Sequence, residues 1–342
     1  MTFSVIVDPS DAELATLAAN VPTNPFCCTR YAAARRAGGA TVVLFHDTSA
    51  CDGSSTTIGY LRGHAISRTL EITSAPALTT DCKFWDGVLD FCRRHHIAAV
   101  EIDSYGSRNV VLPAWSAPAS LRERTEWILQ LEHFEALTVA SNHKRNINKA
   151  RKIGVTTTFT TDPSATDDHV RLMAASMHRR AARGEVVPTV SARDTTYERA
   201  LLASGAARIY QAWHGDDVLS SLMVLVCAGG AYYQSAGTSP EGMEIGASTL
   251  LVAEAIRDLA KDGKTVFNLG GAGPESEGLR RFKAGFGAEP VTLTACTYQI
   301  ASPIHRTLRK AIRLIRRPAT LRTSLARRWA ALFAVIAAGT LR

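Results

Sequence analysis

Apolar and polar positions alternate along the chain in two ways, which together predict a protein of mixed strands and helices. Runs with period two, or short apolar runs next to glycine and proline, are typical of strands, and spacing of three to four residues is typical of helices. Strands are predicted at 3–7, 41–46, 57–63, 68–73, 98–103, 126–132, 155–161, 207–213, 218–227, 231–236, 265–269 and 291–299. Helices are predicted at 11–20, 25–37, 84–96, 134–155, 163–182, 195–204, 247–262 and 278–284.

The order of these elements repeats. One strand, two helices, three strands, one helix, a further strand and then a later strand fill residues 1–140, and the same order returns in residues 141–300. Residue identity between the halves is low, so the indication of a duplication comes from element order alone. We therefore predict an α/β protein with mixed sheets and two similar domains, 1–140 and 141–300, with the helix at 134–155 between them.

The last segment, 301–342, differs in composition from the rest. It holds ten Lys and Arg residues and no Asp or Glu, which leaves 29 basic and 31 acidic residues before it. Apolar residues recur at helical spacing on either side of Pro318, so we predict a tail of basic amphipathic helices. Such a tail is suited to an anionic membrane surface or RNA, and equally to docking its apolar face on the body of the protein.

Composition places the chain among globular proteins, with 46% hydrophobic and 20% charged residues. The seven cysteines are scattered and form no CxxC pair, which favours reduced thiols over a disulfide framework or a zinc site. The N-terminus lacks a basic stretch followed by an apolar run, and the apolar stretch at 329–339 is too short to span a bilayer. A cytoplasmic protein is expected, peripheral at the inner face of the membrane if the tail binds lipid.

Residues 231–290 hold the strongest local signal. A strand, a glycine-bearing turn and a helix follow one another twice, at 231–262 and at 265–284. Unpaired backbone N–H groups and the helix dipole converge at such a junction, which favours anion binding.

Three motifs in the second half resemble one family. SNHKRNINKARKIGV (141–155) is similar to a Ser/Asn-x-x-(Arg/Lys)-x-x-Ile-x-(Lys/Arg)-Ala-x-x-x-Gly-Val signature, YYQSA (232–236) to an aromatic strand, and GLRRFKAGFG (278–287) to a Gly-Leu-x-x-Phe-Lys-x-x-Phe motif. All three are found in Fem-type proteins, which are tandem-GNAT aminoacyltransferases and their acyltransferase relatives. The resemblance implies two tandem GNAT-like domains followed by the tail.

It also implies a reaction. In the Fem-type pattern an amine attacks a carbonyl that is activated as an ester of tRNA or as a thioester of CoA. The expected function is an acyltransferase that forms an amide bond, with aminoacyl-tRNA or acyl-CoA as donor co-substrate and no tightly bound cofactor. The implied acceptor is an amine in a cell-wall (peptidoglycan) precursor or a peptide natural product. Asn268 stands where the family often has Asp, and the family's Ser-x-x-Trp-x-x-x-Lys pattern reads CTRYAAAR at 28–35.

The catalytic residues are expected in the second half. Lys283 matches the family lysine at the transfer centre, and a buried cation there would stabilise negative charge on the carbonyl oxygen. Phe282 and the aromatic pair Tyr232 and Tyr233 complete the predicted set. The amine must lose a proton to one of these tyrosines, to Glu101 or to water. Since side chains alternate along a strand, only one of the two tyrosines can face the cleft.

Donor and acceptor contacts are predicted on separate segments. The loop before the helix at 247–262 resembles the CoA loop of GNAT enzymes, although Met243 replaces its leading Arg or Gln and Glu244 adds a negative charge. The predicted donor-binding residues are Gly242, Gly246, Ala247, Ser248, Asn268, Gly270 and Gly271. The predicted acceptor-binding residues are Tyr31, Arg35 and Arg179.

The remaining predictions concern partners. No trusted metal-ligand spacing occurs, so no metal is expected. The basic residues of 144–152 are suited to tRNA phosphates or to a solvated helix face. Two rivals stay open at this stage: an acyl-CoA-dependent N-acetyltransferase, and a non-catalytic GNAT-like binding module anchored by its tail.

Overall fold

A computed structural model describes residues 3–48, 55–63, 68–76, 83–105, 111–132, 139–185, 194–273 and 275–300. The described strands are β1 Phe3–Val7, β2 Thr41–Asp47, β3 Ser55–Arg62, β4 Thr69–Ile72, β5 Ala99–Asp103, β6 Ser120–Gln130, β7 Thr156–Thr160, β8 Ala207–His214, β9 Asp217–Val226, β10 Gly230–Thr238, β11 Val266–Gly271 and β12 Glu289–Gln299. The described helices are α1 Asp11–Asn20, α2 Thr29–Ala37, α3 Phe84–Arg94, α4 Ser141–Ile153, α5 Thr166–Ala182, α6 Thr196–Ala203, α7 Pro240–Ile245, α8 Ala247–Lys261 and α9 Glu277–Ala284.

All of these strands join in one mixed sheet, in the order β1-β2-β3-β4-β5-β12-β6-β11-β10-β9-β8-β7. The first half pairs antiparallel from β1 to β4, and β4 then runs parallel to β5. The second half repeats this, with antiparallel pairs from β7 to β10 and a parallel pair β10–β11. The mixed α/β fold and the repeated element order predicted above are therefore present in the sheet.

The halves exchange their last strands. β6 precedes residue 140 in sequence, yet it pairs with β11 of the second half. β12 comes at the end of the second half and pairs with β5 of the first. The two exchanged strands then pair with each other along Glu289–Thr297 and Ser120–Ile128. Residue 140 divides the sequence into its two halves. The hydrogen-bonded sheet, by contrast, continues from one half into the other.

Three apolar clusters of described residues cover the sheet. One lies in the second half beneath α4 and α8, and another holds α3 against the strands of the first half. The third is shared, since α1 and α2 from the first half and α6 from the second all contribute to it. The halves therefore pack on common apolar residues as well as through the exchanged strands.

Local chemistry explains the helix boundaries and three corrections. Ser10 and Glu13 form a reciprocal capping box at the start of α1. The single helix predicted at 25–37 is wrong, because Pro25–Cys27 form a 3-10 turn and α2 starts only at Thr29. The segment 240–245, predicted as loop, is α7, capped by the Ser239 side chain with Pro240 in its first turn. The strand predicted at 126–132 begins earlier, at Ser120, where it pairs with β12.

No helix in the described part of the chain is long and apolar enough to cross a membrane. The predicted tail, 301–342, lies outside the described residues.

Candidate active site

The parallel strands β10 and β11 part in the middle of the second half. Their register runs from Gly230 and Val266 to Tyr232 and Asn268, and beyond that pair each strand follows its other neighbour. β10 bulges between Tyr233 and Ser235, and the β11–β6 pairing shifts register at the same level. Bulges commonly accompany active sites, where they redirect side chains and interrupt pairing.

The equivalent strands of the first half stay together. Beyond the last parallel pair of β4 and β5, the Ala75 N–H donates to the Asp103 carbonyl at 2.8 Å, and Ser74 and Ser104 form a bridge. The duplicated fold thus opens a cleft between its parallel strands in the second half only, within the described residues.

Lys283 reaches into this cleft from α9. Phe282 anchors the helix, since its ring packs on His143 (centroids 5.3 Å apart) and on Phe286 (5.1 Å). Lys283, one position further round the helix, is only 4% exposed, and its Nζ donates to the Gly271 carbonyl at 2.6 Å. Burial lowers the pKa of Lys283 to about 8, although the negative charge of Glu126 opposes that shift.

The turn at the end of β11 lies beneath this lysine. Gly270 has a positive φ of 75°, and its N–H donates to Asn268 Oδ1 at 2.7 Å. A β-carbon placed on Gly270 would lie 3.7 Å from Tyr232 Oη and 3.8 Å from Lys283 Nζ. Tyr232 and Lys283 therefore converge over the same glycine.

A buried carboxylate completes the centre. Glu126 of β6 is fully buried, and its Oε2 accepts from Asn268 Nδ2 at 2.6 Å. Its Oε1 accepts from the Arg124 guanidinium and lies 3.4 Å from Tyr232 Oη. Arg124 also pairs with Asp103 at 2.6 Å. Among the described residues, two cations and two carboxylates thus balance here: Glu126 and Lys283 are buried, whereas Arg124 and Asp103 are about a quarter exposed.

A cavity of about 490 Å³ leads to Tyr232 from the junction of the two halves. Its wall includes Arg35, whose guanidinium donates to Glu71 at 2.9 Å and to Tyr31 Oη at 3.2 Å. Arg62 binds the same Glu71 carboxylate at 2.8 Å, so the charged residues among the described part of the wall are two arginines and one carboxylate. The described lining residues are Phe26, Tyr31, Ala34, Arg35, Gly38, Ala40, Arg62, Glu71, Thr73, Tyr197, Tyr232 and Gln234.

A second cavity, of about 500 Å³, reaches Asn268 from another side. No Asp, Glu, Lys or Arg is among its described lining residues. An aromatic wall runs between the cavities, because Phe26 contacts both Tyr105 (4.6 Å) and Tyr232 (5.1 Å), and Tyr105 contacts Tyr232 (5.3 Å). The two spaces thus differ in charge and approach the same centre.

Residues 139–284 match the family model described as "Acetyltransferase (GNAT) domain". The structure is similar to that of FemX, with a TM-score of 0.64 and 12% identity over 89% of this chain and 99% of that one. The chain has the Fem-like tandem-GNAT fold. L-PGS from Bacillus licheniformis is also similar, with a TM-score of 0.52 and 14% identity over 91% of this chain and 98% of that one.

A third similar structure is the C-terminal domain assigned to a lysylphosphatidylglycerol synthetase of Agrobacterium fabrum, with a TM-score of 0.52 and 16% identity over 89% of this chain and 98% of that one. A search of curated proteins by sequence finds no match. The matched model describes an acetyltransferase domain, so residues 139–284 carry a transferase domain in general terms.

Several predicted residues meet in the cleft of this tandem-GNAT fold. Lys283, Tyr232, Asn268, Gly270 and Gly271 lie together at the parting of β10 and β11. Tyr31 and Arg35, predicted on the acceptor side, line the cavity that ends at Tyr232. Residues far apart in sequence thus form one continuous surface.

Other predicted catalytic residues point elsewhere. Tyr233 packs into the apolar cluster beneath α4 and α8, on the opposite face of β10 from Tyr232. The Phe282 ring lies in that same cluster. Glu101 is exposed on β5 and pairs with Arg62 at 3.5 Å. These placements give Tyr233 and Phe282 packing partners, and any direct contact of theirs with substrate remains a prediction.

The predicted donor loop is filled by protein. A β-carbon on Gly242 would lie 2.7 Å from the Leu219 carbonyl, and one on Gly246 would lie 2.8 Å from the Asn146 carbonyl. Gly246 and Ala247 are buried, and Ser248 is partly buried. Close packing against β9 explains Gly242, and a positive φ of 82° together with packing on α4 explains Gly246. Donor contact at this loop remains a prediction.

Arg179 lies at the far end of β10. Its guanidinium donates to the Thr238 carbonyl and to Ser176 Oγ at 3.0 Å. These contacts tie α5 to the end of the strand, and contact with an acceptor remains a prediction.

Glu126, Arg124 and Tyr105 were not identified from the sequence. Glu126 is one of two Glu residues in β6 and follows a mostly polar stretch of that strand, so it resembles a solvent-facing residue and nothing local marks it as buried. The available signal was Asn268: an aspartate there could not donate to Glu126, whereas the asparagine does. Within the described residues, no group of three or more His, Cys, Asp or Glu side chains could hold a metal ion.

Proposed function

We propose that this protein transfers an aminoacyl or acyl group from an activated donor to an amine and forms an amide bond. One observation carries the proposal: the buried Lys283 lies over the Gly270–Gly271 turn beside Tyr232, where the parallel strands part. A buried cation costs free energy and is kept where charge develops during a reaction. The GNAT match and the Fem-like fold support the same reaction class.

The chemistry follows from the charge that aminolysis creates. As the amine attacks the ester or thioester carbonyl, negative charge grows on the carbonyl oxygen. Lys283 is protonated at neutral pH, because its pKa is about 8, and it faces this charge in a site with little water. The bulge in β10 is a second source of backbone N–H groups at the same level.

The acceptor would occupy the 490 Å³ cavity. Its charged wall has one more arginine than carboxylate, since Arg35 and Arg62 share Glu71. Such a wall favours an acceptor that carries a carboxylate or phosphate away from its amine. Tyr31, Tyr197 and Phe26 add aromatic surface for the remainder of the molecule. With the anion held there, the amine is directed to Tyr232.

The donor we favour is aminoacyl-tRNA. The helix start that resembles a CoA pyrophosphate loop is covered by Asn146 of α4, so phosphate binding there would require movement of α4. The same helix exposes Lys144, Arg145 and Lys152, which are suited to the phosphates of a tRNA acceptor end. Acyl-CoA remains the alternative, as the GNAT domain is an acyl-CoA-using domain.

We also propose that the protein works in the cytoplasm and that the basic segment 301–342 brings it to an anionic membrane surface. The basic amphipathic pattern of that segment supports this, and a cell-wall precursor or peptide would then be acylated at the inner face.

A donor test decides between these forms of the reaction. The full chain would be incubated with tRNA charged with radiolabelled amino acids, or with radiolabelled acetyl-CoA. Each would be offered amines that carry an anion: glycylglutamate, phosphoethanolamine and lysine dipeptides. Labelled amide from charged tRNA alone supports the aminoacyl form, and label from acetyl-CoA alone supports the N-acetyltransferase alternative. No product from either donor would contradict the proposal and favour a non-catalytic binding module.

A further inference from the structure

Glu126 has surroundings that a merely structural carboxylate does not need. It is fully buried, and its described contacts come from several strands: Arg124 on β6, Asn268 on β11 and Tyr232 on β10. All three side chains donate to the carboxylate, so the described donors to it come from three different strands. A buried carboxylate that only tied strands together would not require a neighbour that lines a substrate cavity.

The charges around it are balanced in a way that permits a proton to move. Arg124 is paired with both Glu126 and Asp103. The negative charge of Glu126 also acts on Lys283, where it raises the pKa against the larger effect of burial. Tyr105 on the far side is a buried neutral phenol whose pKa is raised well above its ordinary value, first by burial and then by Glu126. If Glu126 gains a proton while Lys283 loses one, the total charge of the group stays unchanged.

Tyr232 connects this carboxylate to the acceptor cavity. Its ring forms part of the cavity wall, and its Oη lies 3.4 Å from Glu126 Oε1. Burial raises the pKa of Tyr232 above its ordinary value, and the charge of Glu126 adds to the effect, so the phenol stays neutral. A neutral phenol can accept one proton while it donates its own, which is what a relay between an amine and a carboxylate requires.

We infer that Glu126 is the proton acceptor of the transfer reaction and that Tyr232 passes the amine proton to it. The inference rests on the proposed function. As the C–N bond forms, the amine nitrogen gives one proton to Tyr232 Oη, and the phenol proton moves to Glu126 Oε1. The bond from the carbonyl carbon to the leaving oxygen or sulfur then breaks, and the leaving group takes a proton from Lys283. A proton returned from Glu126 to Lys283 restores both groups.

The test compares Glu126→Gln and Tyr232→Phe with the wild-type protein. Two matched controls remove similar groups elsewhere: Glu254→Gln on α8, where Glu254 pairs with Arg151 and Arg257, and Tyr298→Phe on β12, where the hydroxyl donates to the Pro113 carbonyl. Formation of labelled amide is followed from pH 6 to 10, with whichever of charged tRNA or acetyl-CoA the wild type uses and with the three amines named above.

The relay predicts a specific pattern. At pH 7, Glu126→Gln lowers kcat by about 10²–10⁴-fold with little change in the KM of the amine, because only the proton transfer is lost. Its rate then rises with pH, as hydroxide takes over the proton, and approaches the wild-type rate. Tyr232→Phe shows the same recovery from a smaller loss, and both controls retain wild-type profiles.

Other outcomes overturn the inference. If Glu126→Gln and Tyr232→Phe both keep the wild-type kcat, the relay is wrong. It is also wrong if kcat falls by the same factor at every pH, because that result indicates a structural role. Tyr232→Phe keeps the test informative if Glu126→Gln fails to fold, since it removes only a hydroxyl. Lys283→Met distinguishes failure of the relay from failure of the proposed function. If the wild type is active, Lys283→Met is inactive and Glu126→Gln and Tyr232→Phe have normal rates, the relay alone is overturned. An inactive wild type would overturn the proposed function and the relay with it.

Discussion

Tyr232 and Asn268 form the last pair of residues that joins β10 to β11, and both side chains reach the same carboxylate. Tyr232 Oη lies 3.4 Å from Glu126 Oε1, and Asn268 Nδ2 lies 2.6 Å from Glu126 Oε2. The point where the sheet opens is therefore also the point where its buried charges are held. The Gly270–Gly271 turn, directly after Asn268, places Lys283 over this opening.

The first prediction concerns the charge of Lys283. Lys283→Met should lower kcat by about 10²–10³-fold, because one cation facing the developing oxyanion is lost. The matched control is Lys264→Met. Lys264 is also largely buried and donates to a backbone carbonyl, that of Ala228, at 3.1 Å outside the cleft. Steady-state measurement of kcat for both variants tests this prediction. An unchanged kcat in Lys283→Met would show that the lysine has no part in the mechanism.

The same substitution should make the protein more stable. The pKa of Lys283 falls from 10.5 to about 8 on folding, so burial of the protonated amine costs about 3 kcal/mol below pH 8. Loss of the hydrogen bond to Gly271 offsets about 1 kcal/mol of that, so Lys283→Met should gain about 2 kcal/mol at pH 7.

The pH dependence of the free energy of unfolding tests this prediction. Between pH 8 and 10.5 the unfolded chain binds more protons than the folded one, so wild-type stability should rise with pH and the advantage of Lys283→Met should shrink. Urea unfolding at pH 7 and pH 9.5 measures both values, and an advantage that is constant with pH would contradict the burial cost.

Arg35 offers a test of the acceptor wall. Arg35→Lys should raise the KM of an anionic amine about tenfold or more while kcat changes little, because a lysine cannot hold Glu71 and Tyr31 in the same fork geometry. Arg208→Lys is the control, since Arg208 also bridges carboxylates, Asp258 and Asp262, outside the cavity. Equal effects in the two variants would contradict a role in acceptor binding.

His169 should make the fold sensitive to acid. It is fully buried between Ser221 (2.9 Å) and Ser235 (2.8 Å), and burial lowers its pKa to about 4. The unfolded histidine binds its proton near pH 6.5, so stability is lost as the pH falls from 6.5 to 4, by up to about 3 kcal/mol.

Unfolding in urea from pH 7.5 to 4 measures this loss. His169→Asn should be less stable at pH 7 yet flatter towards acid, whereas His178→Asn, at an exposed position of the same helix, should keep the wild-type slope. A wild-type slope in His169→Asn would assign the acid sensitivity to other groups.

Particular residues show how far the sequence could lead. Helical spacing of apolar residues predicted the helix at 247–262, and the apolar face of α8 is buried, with Leu250, Leu251, Ala255, Ile256 and Leu259 in the core. The motif around Phe282 and Lys283 placed a lysine next to aromatic anchors, and the structure has that arrangement. Periodicity and local motifs sufficed here because the information lies within a few turns of chain.

Which tyrosine faces the cleft required the tertiary structure. The alternation of side chains along a strand predicted that Tyr232 and Tyr233 point to opposite faces of β10. The two faces differ only in the residues that pack on them, which the tertiary structure decides. Gly242 and Gly246 were predicted to contact the donor. In the fold, Leu219 packs closely on Gly242, and Gly246 combines a positive φ of 82° with close packing on Asn146. A glycine signals close approach without naming the group that approaches.

The sequence by itself determined the mixed α/β elements, their repetition and the lysine-bearing helix, because each depends on local spacing along the chain. Only the tertiary structure decided that β6 and β12 change places between the halves. That exchange brings Glu126, from the first half of the chain, beneath Asn268 and beside Tyr232 from the second half. The physical reason is that strand pairing joins segments more than 100 residues apart, and no local pattern records which partner a strand will take.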